Sequence, residues 1–190
     1  ARAAAGRMKK PLVLKINSDE ILHKTDAGGV KLNIHSADEA AAAYREILAN
    51  VARTKPGAKT DGVLVQEMAP AGVEMIIGVT KDKQFGPMLL VGMGGVFVEV
   101  FKDAALYPAP LNHDEAIGML KKLKSYKLLT GYRGAKPCDI DALADMMVKI
   151  GDYACAHCDE LKELDLNPVF VYPEGEGVCA VDALIVNEID

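Results

Sequence analysis

The chain has 190 residues, 50% apolar and 26% charged, so it can bury an ordinary globular core as one domain or two small lobes. The formal net charge of −5 excludes a broad basic field for a nucleic acid or an anionic membrane surface. The chain has no apolar run of membrane-spanning length, no signal-type stretch and too few cysteines for a disulfide scaffold. These features predict a cytoplasmic protein that uses neither a nucleic acid nor a membrane partner.

The first third of the chain predicts the order strand, loop, strand, helix. The apolar run 11–17 and the alternating run 30–34 are the two strands. Ser36 and Glu39 have the spacing of a helix N-cap and capping box. The alanine-rich stretch that follows keeps helical periodicity to residue 52.

Strands dominate the middle of the chain. Apolar runs bounded by glycine and proline predict strands at 62–67, 74–80 and 88–92, and a further strand at 96–101. Helical spacing returns after this section. It predicts two helices that each have an aspartate near the start, over 113–129 and over 140–158.

The last two predicted strands, 163–172 and 178–185, are joined by a glycine turn and carry four carboxylate or amide side chains: Glu163, Asp165, Asn167 and Asp182. Alternation places the first three on one face of their strand. Oxygen ligands without histidine or cysteine suit magnesium, whereas the alternative is a solvated acidic face. Asp182 favours the metal site, because it lies among apolar residues where a lone carboxylate needs a partner.

A phosphate clamp is predicted around the first strand. The ammonium of Lys15 either reaches solvent or meets an anion at the sheet surface. In the loop that follows, Gly28 and Gly29 permit close backbone approach, so successive amides can cradle phosphate oxygens. Taken alone, such a glycine pair is more often only a turn.

Four blocks of the sequence together resemble the ATP-grasp domain of NDP-forming (ADP-forming) acyl-CoA synthetases, the superfamily of succinyl-CoA synthetase. The blocks are 15–30, 62–79, 85–103 with its Gly-Met-Gly-Gly, and 163–185 with its Leu-Asp-Leu-Asn-Pro. The resemblance implies an α/β (α+β) ATP-grasp fold that holds nucleotide between two lobes, each with a β-sheet and helices. The smaller lobe would span about 11–65 and the larger about 66–190.

The resemblance also implies ligand contacts. Lys15 would contact nucleotide phosphates, and the segment Gln66, Glu67 and Met68 would form the hinge against which adenine binds. Glu67 and Glu74 would hold the base or ribose. Asn167 and Asp182 would bind Mg²⁺, with Glu163 and Asp165 as further ligands or supporting groups. ATP is favoured over GTP.

His23 is the residue on which the predicted chemistry depends, because the resemblance implies that the histidine of this His-Lys-Thr-Asp loop carries phosphate between distant sites. A partly neutral imidazole can attack a phosphoryl group directly, and the alternative is an exposed loop histidine. Asp26 would orient the ring or bind metal. Arg133 would stabilise a migrating phosphoryl group, or is a surface arginine. Glu99 either points into the same cleft or lies on an exposed strand face.

The CoA-binding and ligase domains of full synthetases, and the family's helical stretch ahead of residue 11, are not recognised in this sequence. The chain is therefore predicted to act with a CoA-binding and ligase partner, either as a separate subunit or as a domain excised from a longer chain, which its alanine-rich start favours. Oligomerisation stays open. The predicted function is Mg²⁺-dependent phosphoryl transfer between ATP/ADP and a phosphohistidine, in an acid-thiol ligase. The alternative is an ATP-sensing regulatory domain of a synthetase-like protein acetyltransferase.

Overall fold

The computed structural model describes residues 1–8, 11–21, 23–95 and 102–188. The predicted strand at 96–101, and Glu99 with it, lies outside the described residues. The chain divides into two compact units, Ala1–Pro70 and Ala71–Asp190. Within the described ranges, no helix is both long and apolar enough to span a bilayer.

The first unit is a three-stranded antiparallel sheet covered on one face by a helix. Its elements are α1 (Arg2–Ala5), β1 (Leu12–Asn17), β2 (Val30–Ile34), α2 (Ala37–Thr54) and β3 (Gly62–Glu67). The strand order is β2-β1-β3. Leu14 and Ile16 of β1 share one core with Ile47 and Val51 of α2. The three strands and the long helix confirm the sequence-based prediction. The helical turn α1, ahead of the first strand, was not predicted.

The start of α2 confirms the predicted N-cap and differs in one detail. The Ser36 hydroxyl accepts the Glu39 amide N–H at 3.1 Å. The Glu39 carboxylate accepts the amide N–H of His35, one residue earlier than in a standard capping box, at 2.8 Å. These bonds satisfy amides at the beginning of the helix and fix where β2 turns into α2.

The second unit packs helices on one face of a six-stranded antiparallel sheet. Its elements are β4 (Val73–Asp82), β5 (Gly86–Met93), β6 (Ala104–Pro108), α3 (His113–Lys121), α4 (Tyr126–Leu129), α5 (Ile140–Ala156), β7 (Leu161–Val171), β8 (Val178–Ala180) and β9 (Ala183–Asn187). The order is β6-β5-β4-β7-β8, and β9 also pairs with β7. Alternate residues of β4, such as Met75 and Ile77, pack against Leu143 and Met147 of α5. The edge strand β6 was not predicted.

The prediction of one helix over 113–129 is wrong, because the segment forms two helices, α3 and α4. Asn112 caps α3, in a capping box with Glu115. Between the helices, the amide N–H groups of Lys124 and Ser125 both donate to the buried Asp103 carboxylate at 2.8 Å. In a continuous helix those N–H groups would donate to carbonyls four residues back. The carboxylate therefore replaces the helical bonds at the break.

Candidate functional site

In the first unit, Lys15 lies at the centre of the sheet. It pairs with Val30 on β2 and Leu64 on β3. Only 7% of its surface is exposed. Its neighbours Leu14 and Ile16 belong to the core under α2, so alternation directs Lys15 to the opposite face of the sheet. The side chain is therefore held at the sheet surface and is not a long lysine extended into solvent.

His23 lies in the loop between β1 and β2 and is exposed. Three backbone bonds fold the loop on itself: Ala27 donates to the His23 carbonyl at 3.4 Å, Gly28 to Thr25 at 2.9 Å and Gly29 to Lys24 at 2.8 Å. His23 and Asp26 line a surface cavity of about 370 Å³ beside the C-terminal end of α2. The loop is thus a compact turn that presents an accessible imidazole.

Gly28 and Gly29 allow the backbone to form this turn. Gly28 has φ +65°, the left-handed region that favours glycine, and a Cβ on it would contact Asn50 at 3.0 Å. A Cβ on Gly29 would lie 2.6 Å from the Ile16 side chain and 2.9 Å from the Lys24 carbonyl oxygen. Both glycine amides already donate within the loop. A phosphate cradle formed by these amides stays a prediction, and it requires the loop to open.

The predicted adenine hinge, Gln66 to Met68, covers the end of β3 and the residue after it. Gln66 and Glu67 pair with Val13 and Leu12 of β1, and both are exposed. The Met68 amide N–H donates to the Pro11 carbonyl at 2.7 Å. The strand pairing therefore continues through the end of β3, and it fixes the backbone at this point while leaving two polar side chains accessible.

In the second unit, Glu74 is the first exposed residue of β4. Its carbonyl accepts the Gly94 amide N–H at 2.7 Å, and a Cβ on Gly94 would lie 2.9 Å from the Glu74 Cβ. The second glycine pair thus allows the chain to fold closely over Glu74. This contact gives Gly94 a structural reason that the sequence pattern did not reveal.

The predicted metal residues meet at an irregularity of β7. The register of β7 on β4 slips between Leu166, opposite Ile77, and Val169, opposite Met75. Two residues of β7, Asn167 and the cis Pro168, therefore stand opposite one residue of β4. Such a bulge re-aims a side chain.

The partner strand breaks at the same level, so the prediction of one strand over 178–185 is wrong. β8 pairs with β7 up to Ala180, and β9 resumes at Ala183. In the gap, the Asn167 amide N–H donates to the Asp182 carbonyl at 3.2 Å, and Val181 donates to Pro168 at 2.9 Å. Asn167 and Asp182 are adjacent because of the bulge and the break.

Glu163 and Asp165 lie on the same face of β7 as Asn167, since Leu164 and Leu166 between them are buried. Among the residues that the structure describes, no three histidine, cysteine, aspartate or glutamate side chains are grouped as metal ligands. A carboxylate and an amide still match magnesium, which completes its shell with water and substrate phosphates. The donor chemistry of Asn167 and Asp182 therefore fits Mg²⁺.

Arg133 lies in the loop between α4 and α5. It is exposed and has φ +53°, which is uncommon for a residue with a Cβ. Its guanidinium lies 5.3 Å from the centre of the Tyr132 ring. None of the contacts described for Arg133 joins it to Asn167, Asp182 or Glu74.

Sequence reasoning recognised Asp139 only as a residue near a helix start. Its carboxylate accepts the Ala142 amide N–H at 3.1 Å and those of Gly175 and Gly177 at 3.0 and 2.9 Å. The amide groups of Ala142 and Gly177 hold the pKa of Asp139 below its ordinary value. Asp139 thus joins the start of α5 to the β7–β8 turn. The bonds to Gly175 and Gly177 cross more than thirty residues, so no local signal predicts them.

Known proteins with similar sequences identify the family of this chain. The sequence model of the ATP-grasp domain matches residues 1–186. The beta subunit of acetate–CoA ligase [ADP-forming] I from Pyrococcus furiosus is 44% identical over 182 residues, which cover 96% of this chain and 77% of the subunit. Acetate–CoA ligase [ADP-forming] I from Archaeoglobus fulgidus is 44% identical over the whole chain, which covers only 27% of that protein.

Solved structures give the same result. Acetyl-coenzyme A synthetase 1 of Ca. Korarchaeum cryptofilum, in complex with coenzyme A and Ca-AMPCP, has a TM-score of 0.92 and 47% identity over 99% of this chain and 81% of that chain. The same synthetase was also solved with Mg-AMPPCP and its phosphohistidine segment pointing towards the nucleotide binding site. That structure has a TM-score of 0.82 and 44% identity over 99% of this chain and 81% of that one.

These comparisons confirm the predicted fold and the resemblance on which it was based. The relatives are ligases, and the chain spans about three quarters of a separate beta subunit and about a quarter of a fused enzyme. The chain belongs to the ATP-grasp family, and within it to the ATP-grasp part of the ADP-forming acetate–CoA ligases.

Proposed function

We propose that this chain is the nucleotide-binding catalytic module of an ADP-forming acyl-CoA synthetase and that His23 carries the phosphoryl group. The observation that carries the proposal is the exposed His23 in a compact loop that is closed by its own backbone bonds. A relative with 44% identity contains a phosphohistidine segment that points towards its nucleotide binding site. We assign the same role to the loop around His23.

In the proposed step, a ring nitrogen of His23 and the γ-phosphorus of ATP form a bond while the bond to the β,γ-bridging oxygen breaks. ADP leaves with the electron pair, and the reverse reaction makes ATP from phosphohistidine and ADP. A neutral imidazole can act as this nucleophile without a separate base. The exposed position of His23 gives the phosphoryl group access to a partner.

We assign nucleotide contacts to residues of each unit. In the first, Lys15 supplies a positive charge at the sheet surface, and Gln66 to Met68 supply a fixed backbone for reading an adenine edge. Gly28 and Gly29 allow the His23 loop to form its turn. In the second, Glu74 is an exposed acceptor for ribose or base. Arg133, an exposed cation outside ion-pair contact in the described part of the chain, suits a migrating phosphoryl group.

Asn167 and Asp182 would hold Mg²⁺, which neutralises charge on the transferring phosphoryl group when it is bound. The support is that the bulge in β7 and the break between β8 and β9 bring the backbones of these two residues together, with the Asn167 amide N–H donating to the Asp182 carbonyl.

A CoA-binding and ligase partner, as a subunit or as further domains, would complete the reaction of acyl-CoA, phosphate and ADP to acid, CoA and ATP. The support is that relatives either carry this region as a beta subunit or contain it as about a quarter of a longer protein. The location of such a reaction would be the cytoplasm.

The experiment is to incubate the chain with Mg²⁺ and γ-³²P-ATP, with and without a cognate CoA-binding partner. We expect acid-labile, base-stable label on the native chain and none on His23→Ala. His35→Ala is the matched control, because His35 is also an exposed histidine of the first unit. Label that survives in His23→Ala would refute the assignment. ATP binding without label in any sample would favour an ATP-sensing regulatory domain instead.

A further inference from the structure

Among the described residues, nothing requires a glycine in the middle of the second sheet. Gly78 lies at the centre of β4, which has β5 on one side and β7 on the other. A glycine inside a strand costs about 0.5 to 1 kcal/mol relative to alanine, because it loses more conformational freedom on folding. Interior strand glycines usually mark a bulge, a tight bend or the close approach of another group.

The first two explanations do not apply to Gly78. The register runs without a shift from Ile77 to Val79 on both sides, so there is no bulge at this residue. Its φ is not among the positive values found in the described chain. Among the described residues, a Cβ built on Gly78 would meet only the Leu164 carbonyl oxygen, at 3.7 Å, which is an ordinary contact. These residues therefore leave room for a side chain here.

The space beside Gly78 lies on the face of the sheet opposite the core. Gly78 lies on the face of β4 that points away from the helices, because Ile77 and Val79 beside it are buried in the core. Its direct neighbours across the sheet are the half-buried Leu90 and Asp165. The space beside Gly78 therefore lies between an apolar and an acidic side chain.

The position of Gly78 along the strand relates it to the proposed nucleotide contacts. On the same open face, Glu74 comes first, Ile76 lies opposite the Asn167–Pro168 bulge, and Gly78 follows. Glu74 and Gly78 are four residues apart, about 13 Å along an extended strand. If the base or ribose is held at Glu74 and Mg²⁺ at Asn167, the end of the phosphate chain reaches the level of Gly78.

We infer that Gly78 provides the clearance for the terminal phosphoryl group of ATP, the group that is transferred. The inference depends on the proposed nucleotide function of this module. It makes Gly78 a specificity-determining residue, because a side chain at this position would obstruct ATP more than it obstructs ADP. It also explains why a residue that weakens the strand is placed at its centre.

The test compares the binding of Mg-AMPPCP and Mg-ADP to the native chain, Gly78→Ala, Gly78→Val and Ala104→Val by calorimetry. Ala104→Val adds two methyl groups to an exposed residue of the edge strand β6. We expect Gly78→Val to raise the Kd for AMPPCP about tenfold or more and the Kd for ADP less than about threefold, with Gly78→Ala in between. The control is expected to bind both as the native chain does.

Thermal unfolding of the same variants separates a structural role from clearance. The inference predicts that Gly78→Val melts at the native temperature or above it, because valine favours strands and an added Cβ makes only an ordinary contact among the described residues. A lower melting temperature would show that the fold requires the glycine and would overturn the inference. Equal effects on AMPPCP and ADP, or none on either, would also overturn it. If the native chain bound neither nucleotide, the proposed function itself would fail.

Discussion

Asp103 illustrates how one carboxylate decides local structure. It is 5% exposed, and it accepts the amide N–H groups of Lys124 and Ser125 at the break between α3 and α4. Burial raises the pKa of its carboxyl, but the nearby Ser125 hydroxyl and these two N–H groups outweigh burial, so the pKa lies below its ordinary value. The ionised form therefore stabilises the folded chain.

The first prediction concerns acid stability. Because the folded pKa of Asp103 is lowered, its contribution is complete above the ordinary carboxyl pKa of about 4 and is lost as pH falls through the folded pKa. We expect Asp103→Asn to lower the free energy of unfolding near neutral pH by about 1 to 3 kcal/mol. Below about pH 4, that free energy should depend less steeply on pH in the variant.

Urea unfolding at several pH values measures both effects. Asp152→Asn, at an exposed aspartate of α5, is the control and should keep the native pH dependence. Identical slopes for Asp103→Asn and the native chain would contradict the account. The sequence does not predict the role of Asp103, because its partners are more than twenty residues away.

The loop between β1 and β2 is the element on which the proposed chemistry depends. Its last residues are packed against the sheet: Gly29 accepts the Ile16 amide N–H at 2.7 Å through its carbonyl, and Asn50 donates to the Gly28 carbonyl at 3.3 Å. His23, at the other end, stays exposed. The loop therefore has an anchored end and an accessible end.

Alanine substitutions at two glycines are expected to change the free energy of unfolding in opposite directions. Gly29→Ala should destabilise the chain by about 1 to 3 kcal/mol, since the new Cβ would lie 2.6 Å from the Ile16 side chain and 2.9 Å from a backbone oxygen. Gly118→Ala, in the middle of α3 with nothing within 4 Å of the new Cβ, should stabilise it by about 1 kcal/mol. Chemical denaturation measures both. An unchanged free energy of unfolding for Gly29→Ala would show that Gly29 is not packed tightly against Ile16 and Lys24.

Local patterns predicted most elements correctly, because strand alternation and helix caps depend on residues close in sequence. Ser36 caps α2 as expected, and Asp139, which was expected only near a helix start, caps α5. The exceptions depend on tertiary pairing. Alternation alone does not reveal that β7 carries a bulge at Asn167–Pro168, or that its partner breaks at Val181 and Asp182. The sequence therefore identified the metal candidates without the geometry that joins them.

At the scale of the whole molecule, each of the two sheets carries some of the residues to which the proposed function assigns a role. The first unit contributes a lysine at the sheet surface and the exposed histidine loop, and the second contributes the acidic face of β7 and the clearance at Gly78. Side-chain types suggested the lysine and the acidic face of β7, the family resemblance suggested the histidine loop, and the clearance at Gly78 was not predicted from the sequence. The structure adds the pairing that places Asn167 beside Asp182, and it assigns a structural role to each glycine pair.

The central claim is that His23 exchanges a phosphoryl group with the nucleotide. The most direct measurement is to isolate the ³²P-labelled chain, add ADP with either Mg²⁺ or EDTA, and separate the products. The account predicts that label leaves the protein as ATP when Mg²⁺ is present and stays on His23 when EDTA is present. Label that remains on the protein with Mg-ADP, or that leaves only as inorganic phosphate, would contradict it.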